Sequence, residues 1–221
     1  MTTRNRRKVT RFSDLQRIAD KVVEAHKLNP WDAFLHIQVA YEELLKTKEI
    51  ATKIDKEHLE KTPGRVVKAL SELLEGYHQD PERILETSFT SGKYNQMIIV
   101  SDVKFTSLCV HHILPFAGTV HFAYIPDKRI VGLSKIPRLI ECFSRRLQVQ
   151  EELSEQIVDS FYKIVKPRGC AISIRGTHSC AAIRGVKKEG MYMTTTALRG
   201  IFEIDTSAKS EFLSSIKTNS Y

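Results

Sequence analysis

The chain has 221 residues, 42% of them hydrophobic and 27% charged, a length and balance that suit one ordinary globular domain with an extension or two small ones. No stretch approaches the roughly 20 apolar residues that cross a bilayer, and Met1 to Arg11 lacks the apolar core of a secretory signal. A cytoplasmic protein without a membrane partner is therefore expected. The formal charge of +8 points to an anionic partner, but Arg4, Arg6, Arg7, Lys8 and Arg11 supply five of those charges with no acid among them.

Residues 1–12 read as a basic, disordered arm. Nucleic-acid binding is not expected of it, because no stacking aromatics are interleaved with the charges. From 13 to 90 the pattern is helical. Ser13 and Gln16 resemble a capping box before Leu15, Ile18, Ala19, Val22 and Val23. Asn29 and Pro30 read as the cap and first position of a second helix carrying Phe34, Ile37, Tyr41, Leu44 and Leu45. Thr62 and Pro63 repeat that grammar ahead of Val66, Val67, Leu70, Leu73 and Leu74, with Gly76 as a stop, and Asp80 with Pro81 begins a short fourth helix.

Residues 91–204 change texture. Strands are predicted over 96–100, 119–125 and 130–133, with Asp127 and Lys128 at a hairpin turn. Ser134 caps a helix bearing Ile136, Leu139, Ile140, Phe143 and Leu147; another carries Leu153, Ile157, Phe161, Ile164 and Val165 until Pro167 and Gly169 end it. Strand texture returns over 170–174 and 193–204. Strands, two helices and strands make an α+β domain, and 205–221 reads as a polar, frayed tail.

Two segments hold metal-ligating residues. Cys109 lies two residues before His111 and three before His112, so in a tight turn Cys109 and either imidazole reach one ion; spacing does not choose between them. His178 and Cys180 are two apart and share a face if that segment is extended. Two thiolates and one imidazole make a tetrahedral site suited to zinc, with its fourth position open to water. Four cysteines are too sparse for a disulfide scaffold, and Cys142 and Cys170, which lack such company, read as core residues.

Several cations sit in an unexpected place. Arg65, Lys135 and Arg138 fall in the first turns of predicted helices, where the dipole disfavours positive charge by a few tenths of a kcal/mol unless an anion is shared with the free N–H groups. Arg184, four residues past Cys180, adds a fourth cation near the metal. A metal beside several cations implies a phosphorylated substrate.

Four co-linear stretches, Phe105–Phe116 (FTSLCVHHILPF), Val131–Arg138 (VGLSKIPR), Arg145–Glu151 (RRLQVQE) and His178–Val186 (HSCAAIRGV), with Thr62–Arg65 (TPGR) upstream, resemble the signatures of the GTP cyclohydrolase I family over roughly residues 30–204. The resemblance implies Cys109, His112 and Cys180 as zinc ligands, with His111 and His178 as acid/base groups. It implies Glu151 as the guanine-reading carboxylate, able to accept from N1–H and the 2-amino group, with Gln150 and Ser134 beside it in the substrate pocket. Arg65, Lys135, Arg138 and Arg184 become the triphosphate binders.

The implied reaction converts GTP to 7,8-dihydroneopterin triphosphate and formate by hydrolytic opening at C8 of guanine, a histidine protonating the ring nitrogen. The implied fold is the tunnelling fold, an antiparallel sheet with two helices on one face, assembled as a homodecamer with sites at subunit interfaces. The chain departs from the family at Val110, where Glu is typical, at Ala181, where Met is common, and at Arg175–Gly176, which replaces a more acidic stretch. A tunnelling-fold relative acting on another purine or pterin, and a catalytically silent zinc protein binding nucleic acid through Arg4 to Arg11, are the alternative readings.

Overall fold

In the computed structural model, residues 30–90, 92 and 94–217 are described. The capping box at Ser13 and Gln16, the basic arm and Asn29 lie outside them. Compactness divides the chain into two units, Met1–Ser71 and Glu72–Tyr221, so the division falls earlier than the change of texture at residue 91.

In the first unit, helix α1 (Pro30–Leu45) begins on its proline as the sequence predicts, and a single turn, α2 (Lys48–Ala51), follows. Helix α3 (Lys56–Leu73), which runs on into the second unit, corrects the reading of Thr62–Pro63 as a helix start. Asp55 opens the helix, its carbonyl accepting from His58 and Leu59 N–H at 3.0 and 3.2 Å, with Glu57 in the first turn. Pro63 lies inside the helix, where the missing N–H removes one intrahelical bond. Arg65 is therefore an exposed mid-helix residue, away from the positive end of the dipole.

The second unit is built on a five-stranded sheet ordered β5-β2-β3-β6-β7: β2 (Ile98–Cys109), β3 (Pro115–Ile125), β6 (Gly169–His178) and β7 (Met193–Gly200) pair antiparallel, and β5 (Leu147–Gln148) joins β2 in parallel. A separate pair joins β1 (Ser88–Thr90) to β4 (Arg129–Val131), so the hairpin expected at Asp127–Lys128 does not form a ladder. The Val131 N–H instead donates to the Tyr124 hydroxyl at 3.3 Å, fastening β4 to β3 by one side chain. Asp80 caps α4 (Pro81–Leu85) by accepting from Glu82 N–H at 2.9 Å.

Helices α5 (Lys135–Ser144) and α6 (Gln150–Val165) cover one face of the sheet. Leu153, Ile157, Phe161 and Val165 recur every fourth residue along α6 and are all buried, each removing apolar surface worth about 1.5–3 kcal/mol. Phe161 meets Phe122 and Tyr124 edge-on at 4.8 and 5.1 Å. The opposite face is covered at one end by elements that composition does not suggest. Strand β7 stops at Gly200, whose φ of 64° and whose missing Cβ, which would lie 2.4 Å from the Arg168 carbonyl, turn the chain aside. Short helix α8 (Ile201–Ile204) and helix α9 (Thr206–Lys217) then bury Phe202, Ala208 and Phe212 against Ala123, Ile125 and Ala171. The tail predicted to fray is thus a packed helix through residue 217.

Further along that face, a β-bulge at Val100/Val103 places Asp102 at a φ of 60°, and its N–H donates to His121 Nδ1 at 3.4 Å. Burial lowers the His121 pKa, Lys104 adding to the effect and Asp102 opposing it. The folded protein therefore keeps this ring neutral to lower pH than the unfolded chain does. The resulting stability is fully present above the unfolded value of 6.5 and is lost as pH falls through the folded one. His121→Asn, which retains an acceptor for the Asp102 N–H, is expected to lose less melting temperature than the parent between about pH 7 and 5. An unchanged pH slope in thermal denaturation would show that His121 does not contribute.

Candidate metal centre and substrate site

The first candidate ligand pair is made by the turn joining β2 to β3. Cys109 closes it, donating from its N–H to Leu114 O at 2.9 Å and accepting from the N–H groups of His112 and Ile113 at 3.2 and 2.8 Å. Ile113 completes the turn at a φ of 53°, a left-handed conformation that costs a β-branched residue on the order of 1–3 kcal/mol. Both following imidazoles are exposed and fold back toward the thiol, with Nδ1 of His111 and Nδ1 of His112 each 3.7 Å from Cys109 Sγ.

Cys180 arrives from another element. Strand β6 ends at His178 and the single-turn helix α7 (Ser179–Ala182) begins immediately, which corrects the expectation that an extended segment puts His178 and Cys180 on one face. The Ser179 hydroxyl donates to Pro115 O and pins α7 to the start of β3, beside the ligand turn. Cys109, His112 and Cys180 thereby present ligand atoms all within 4.8 Å of one another; among the described residues they form the group able to hold a metal, and His111 is outside it. Ligands at ordinary zinc distances sit roughly 3.5–3.8 Å apart in a tetrahedron, so the 3.7 Å between Cys109 Sγ and His112 Nδ1 fits the ion. Burial pushes the Cys180 thiol up, as does Cys109 beside it, while Arg184 pulls the other way. A divalent cation answers that unfavourable pairing by letting both sulfurs ionise.

His178 is held on two sides. Its ring stacks on Phe116 across the strand pair, with centroids 4.6 Å apart and planes 5° from parallel, and its Nε2 lies 2.9 Å from Gln150 Oε1. Burial lowers its pKa and Glu151 raises it, which puts the carboxylate within electrostatic reach of the ring. The parallel pairing of β5 with Leu108 and Cys109 explains this juxtaposition, since α6 starts directly after β5 and sets Gln150 and Glu151 at its first turn beside the metal turn. Glu151 is exposed and borders a cleft of about 430 Å³ between α6 and β7.

Ser134 occupies the N-cap position of α5 but makes no side-chain capping bond, so its hydroxyl is not engaged by the helix it precedes. Lys135 and Arg138 follow in the first turn and just past it, and no acid shares that turn. Arg184 is exposed, two residues beyond the end of α7.

A sequence model of the GTP cyclohydrolase I family matches residues 37–217. The chain belongs to the GTP cyclohydrolase I family. It is 49% identical over 159 residues to the GTP cyclohydrolase 1 of Chlorobaculum tepidum, covering 72% of this chain and 71% of that one. Its identity to the GTP cyclohydrolase 1 of Campylobacter jejuni strain 81116 is 45% over 184 residues, or 82% of this chain and 97% of the other. Among solved structures, the archaeosine synthase QueF-Like in the apo form is similar at a TM-score of 0.40 and 14% identity, over 47% of this chain and 93% of that one, a likeness too slight to bear on function.

The GTP cyclohydrolase I match extends past residue 204 to take in α9, which the sequence reading left outside. Of the residues that the family resemblance implies, Cys109, His112, Cys180, His111, His178, Glu151 and Arg184 gather around the turn and the two helix starts. Arg65 belongs to the first unit. Gln150, implied as a substrate contact, is 1% exposed and has its amide engaged by protein partners. Of the departures from the family pattern, Val110 gives its N–H to Gln148 O at 3.1 Å, Arg175 lies 3.6 Å over the Tyr192 ring, and Gly176 makes room for the Gln150 carboxamide.

Proposed function

We propose that this chain, folded as a tunnelling-fold protein, binds Zn2+ through Cys109, His112 and Cys180 and converts GTP to 7,8-dihydroneopterin triphosphate and formate. The observation that carries the reading is the convergence of those three ligand atoms, from two separate segments, to within 4.8 Å. Zinc bound there supplies a Lewis acid and a water of lowered pKa. His178 and His111, close to the trio but outside it, hold and move protons at the guanine ring. Glu151 reads the guanine edge, with Ser134 and Gln150 at the same pocket, and Lys135, Arg138, Arg184 and Arg65 receive the triphosphate.

Catalysis belongs in this reading to residues 91–204, with 13–90 as a helical region, 1–12 as a basic arm outside the site and 205–221 as a tail. The family resemblance supports reading the chain as a cytoplasmic homodecamer with sites at subunit interfaces; among the described residues, β7 has no strand on its outer edge. The product would enter folate, biopterin or 7-deazaguanine synthesis.

Zinc-loaded protein incubated with GTP should release formate, and none released would overturn the proposal. Arg184→Ala separates phosphate binding from base reading, since a charge-assisted bond is worth about 1.5–3 kcal/mol. The substitution is expected to weaken GTP binding about 10- to 100-fold while leaving guanosine binding nearly unchanged. An equal loss for both ligands in calorimetric titration would make Arg184 a structural residue.

A further inference from the structure

Gln150 is placed where a substrate contact is expected, yet its side chain is turned inward. Its amide nitrogen donates to Ile174 O and Met193 O, both at 3.1 Å, with Thr195 Oγ1 at 3.4 Å as a longer third partner. An amide nitrogen has two hydrogens, and two backbone carbonyls on adjacent strands take them. Turning the amide over would set its oxygen against those two carbonyl oxygens, so the network itself fixes which atom faces His178. The atom that does is Oε1, 2.9 Å from His178 Nε2. A carboxamide oxygen only accepts, so His178 Nε2 must be the donor.

A second feature of the backbone serves the same contact. A Cβ on Gly176 would lie 2.5 Å from Gln150 Oε1, so only glycine at 176 lets the carboxamide occupy this position. On the other side, the parallel stack on Phe116 holds the plane of the imidazole. The ring is thus fixed in position by Phe116 and in its hydrogen-bond direction by Gln150.

We propose that Gln150 is a positioning residue that locks His178 in the Nε2–H tautomer, leaving Nδ1 as the nitrogen that takes and returns the proton. The proposal rests on the reading of His178 as an acid/base group. Through a proton-transfer cycle the Nε2–H stays in its bond to Gln150. Any proton that His178 takes up and passes to the substrate ring nitrogen therefore arrives and leaves at Nδ1, whose lone pair is free in the neutral ring.

The zinc-loaded, full-length protein labelled with 15N-histidine tests this without any turnover. At about pH 8, where an imidazole of ordinary pKa near 6.5 is neutral, long-range 1H–15N correlation reports the tautomer of each ring, and the signal absent from His178→Ala identifies His178. The expected pattern is protonated Nε2 and bare Nδ1. Protonated Nδ1 would overturn the proposal even if GTP turns over normally, whereas absent turnover with the expected tautomer would count against the catalytic reading alone.

Gln150→Met removes the acceptor at similar volume, and Gln150→Glu keeps one. With zinc content and circular dichroism unchanged, Met at 150 should give mixed tautomers and lower kcat about 10- to 100-fold with little change in KM for GTP, as losing the partner that orients a functional histidine does. Glu, whose second oxygen faces the Ile174 and Met193 carbonyls and is expected to carry a proton there, should restore the Nε2–H pattern. A raised KM with kcat unchanged would make Gln150 a substrate contact and overturn the proposal. If neither variant folds, the tautomer in the parent protein decides.

Discussion

Replacing Cys180 with serine is expected to abolish zinc retention and to take formate release from GTP below roughly a thousandth of the parent rate, because the pKa of water rises from about 7 on zinc to 15.7 in bulk. The parent should carry about one zinc per chain, as one three-ligand site with an open position does. A serine hydroxyl at 180 is a poor zinc ligand at neutral pH, and its loss leaves only the two ligands of the β2–β3 turn, Cys109 and His112. The fold should survive, since Cys180 is half-buried at the rim of the core. Cys142→Ser is the control. That thiol is carried by α5 itself and buried, engaged with Arg146 and the Gln79 carbonyl, and is not a member of the trio. Zinc measured by elemental analysis should vanish from the first variant and persist in the second. Full occupancy in Cys180→Ser would remove Cys180 from the site.

The parts of this molecule that were legible in the sequence are those set by neighbours along the chain. Cys109 meets the imidazoles of His111 and His112 because spacings of two and three residues close into a turn, though spacing does not choose between them, and α6 could be read from the period of Leu153, Ile157 and Phe161. Where two local signals compete, the reading fails. Thr62–Pro63 has the form of a helix start, yet the helix had already begun at Asp55, and surrounding turns tolerate a proline that the pattern treats as a boundary. The tail shows another limit. Serine is its commonest residue, but Ala208 and Phe212, with Leu213 and Ile216 beside them, dock α9 once Ala123 and Ala171 offer a smooth patch of sheet, and that patch is visible only when β3 and β6 are paired. The inward turn of Gln150 was equally hidden, because its partners at Ile174 and Met193 become neighbours only through the register of β6 against β7. Gly176 stands in the sequence only as part of Arg175–Gly176, and its purpose depends on a contact with α6 that no local pattern contains.

His112 and His178 should respond to removal in different ways. His112 has a ligand atom within the 4.8 Å group, so His112→Ala should lose zinc as Cys180→Ser does. His178 touches Phe116 and Gln150 instead, so His178→Ala should keep zinc and the circular dichroism of the parent while turnover falls by about 10²- to 10⁴-fold, the usual range for a lost proton-transfer group. The proposed distinction is between a side chain that would hold an ion and one that is itself held, by a stacked ring and a hydrogen bond. Removing it also frees Gln150 Oε1, a buried acceptor that water can satisfy in the space the imidazole leaves. For that reason the loss should appear in kcat far more than in melting temperature. Zinc content, thermal denaturation and formate release measured together on the two variants separate the roles. Parent-like turnover in His178→Ala, or loss of zinc from it, would show that the division between ligand and proton carrier is drawn in the wrong place.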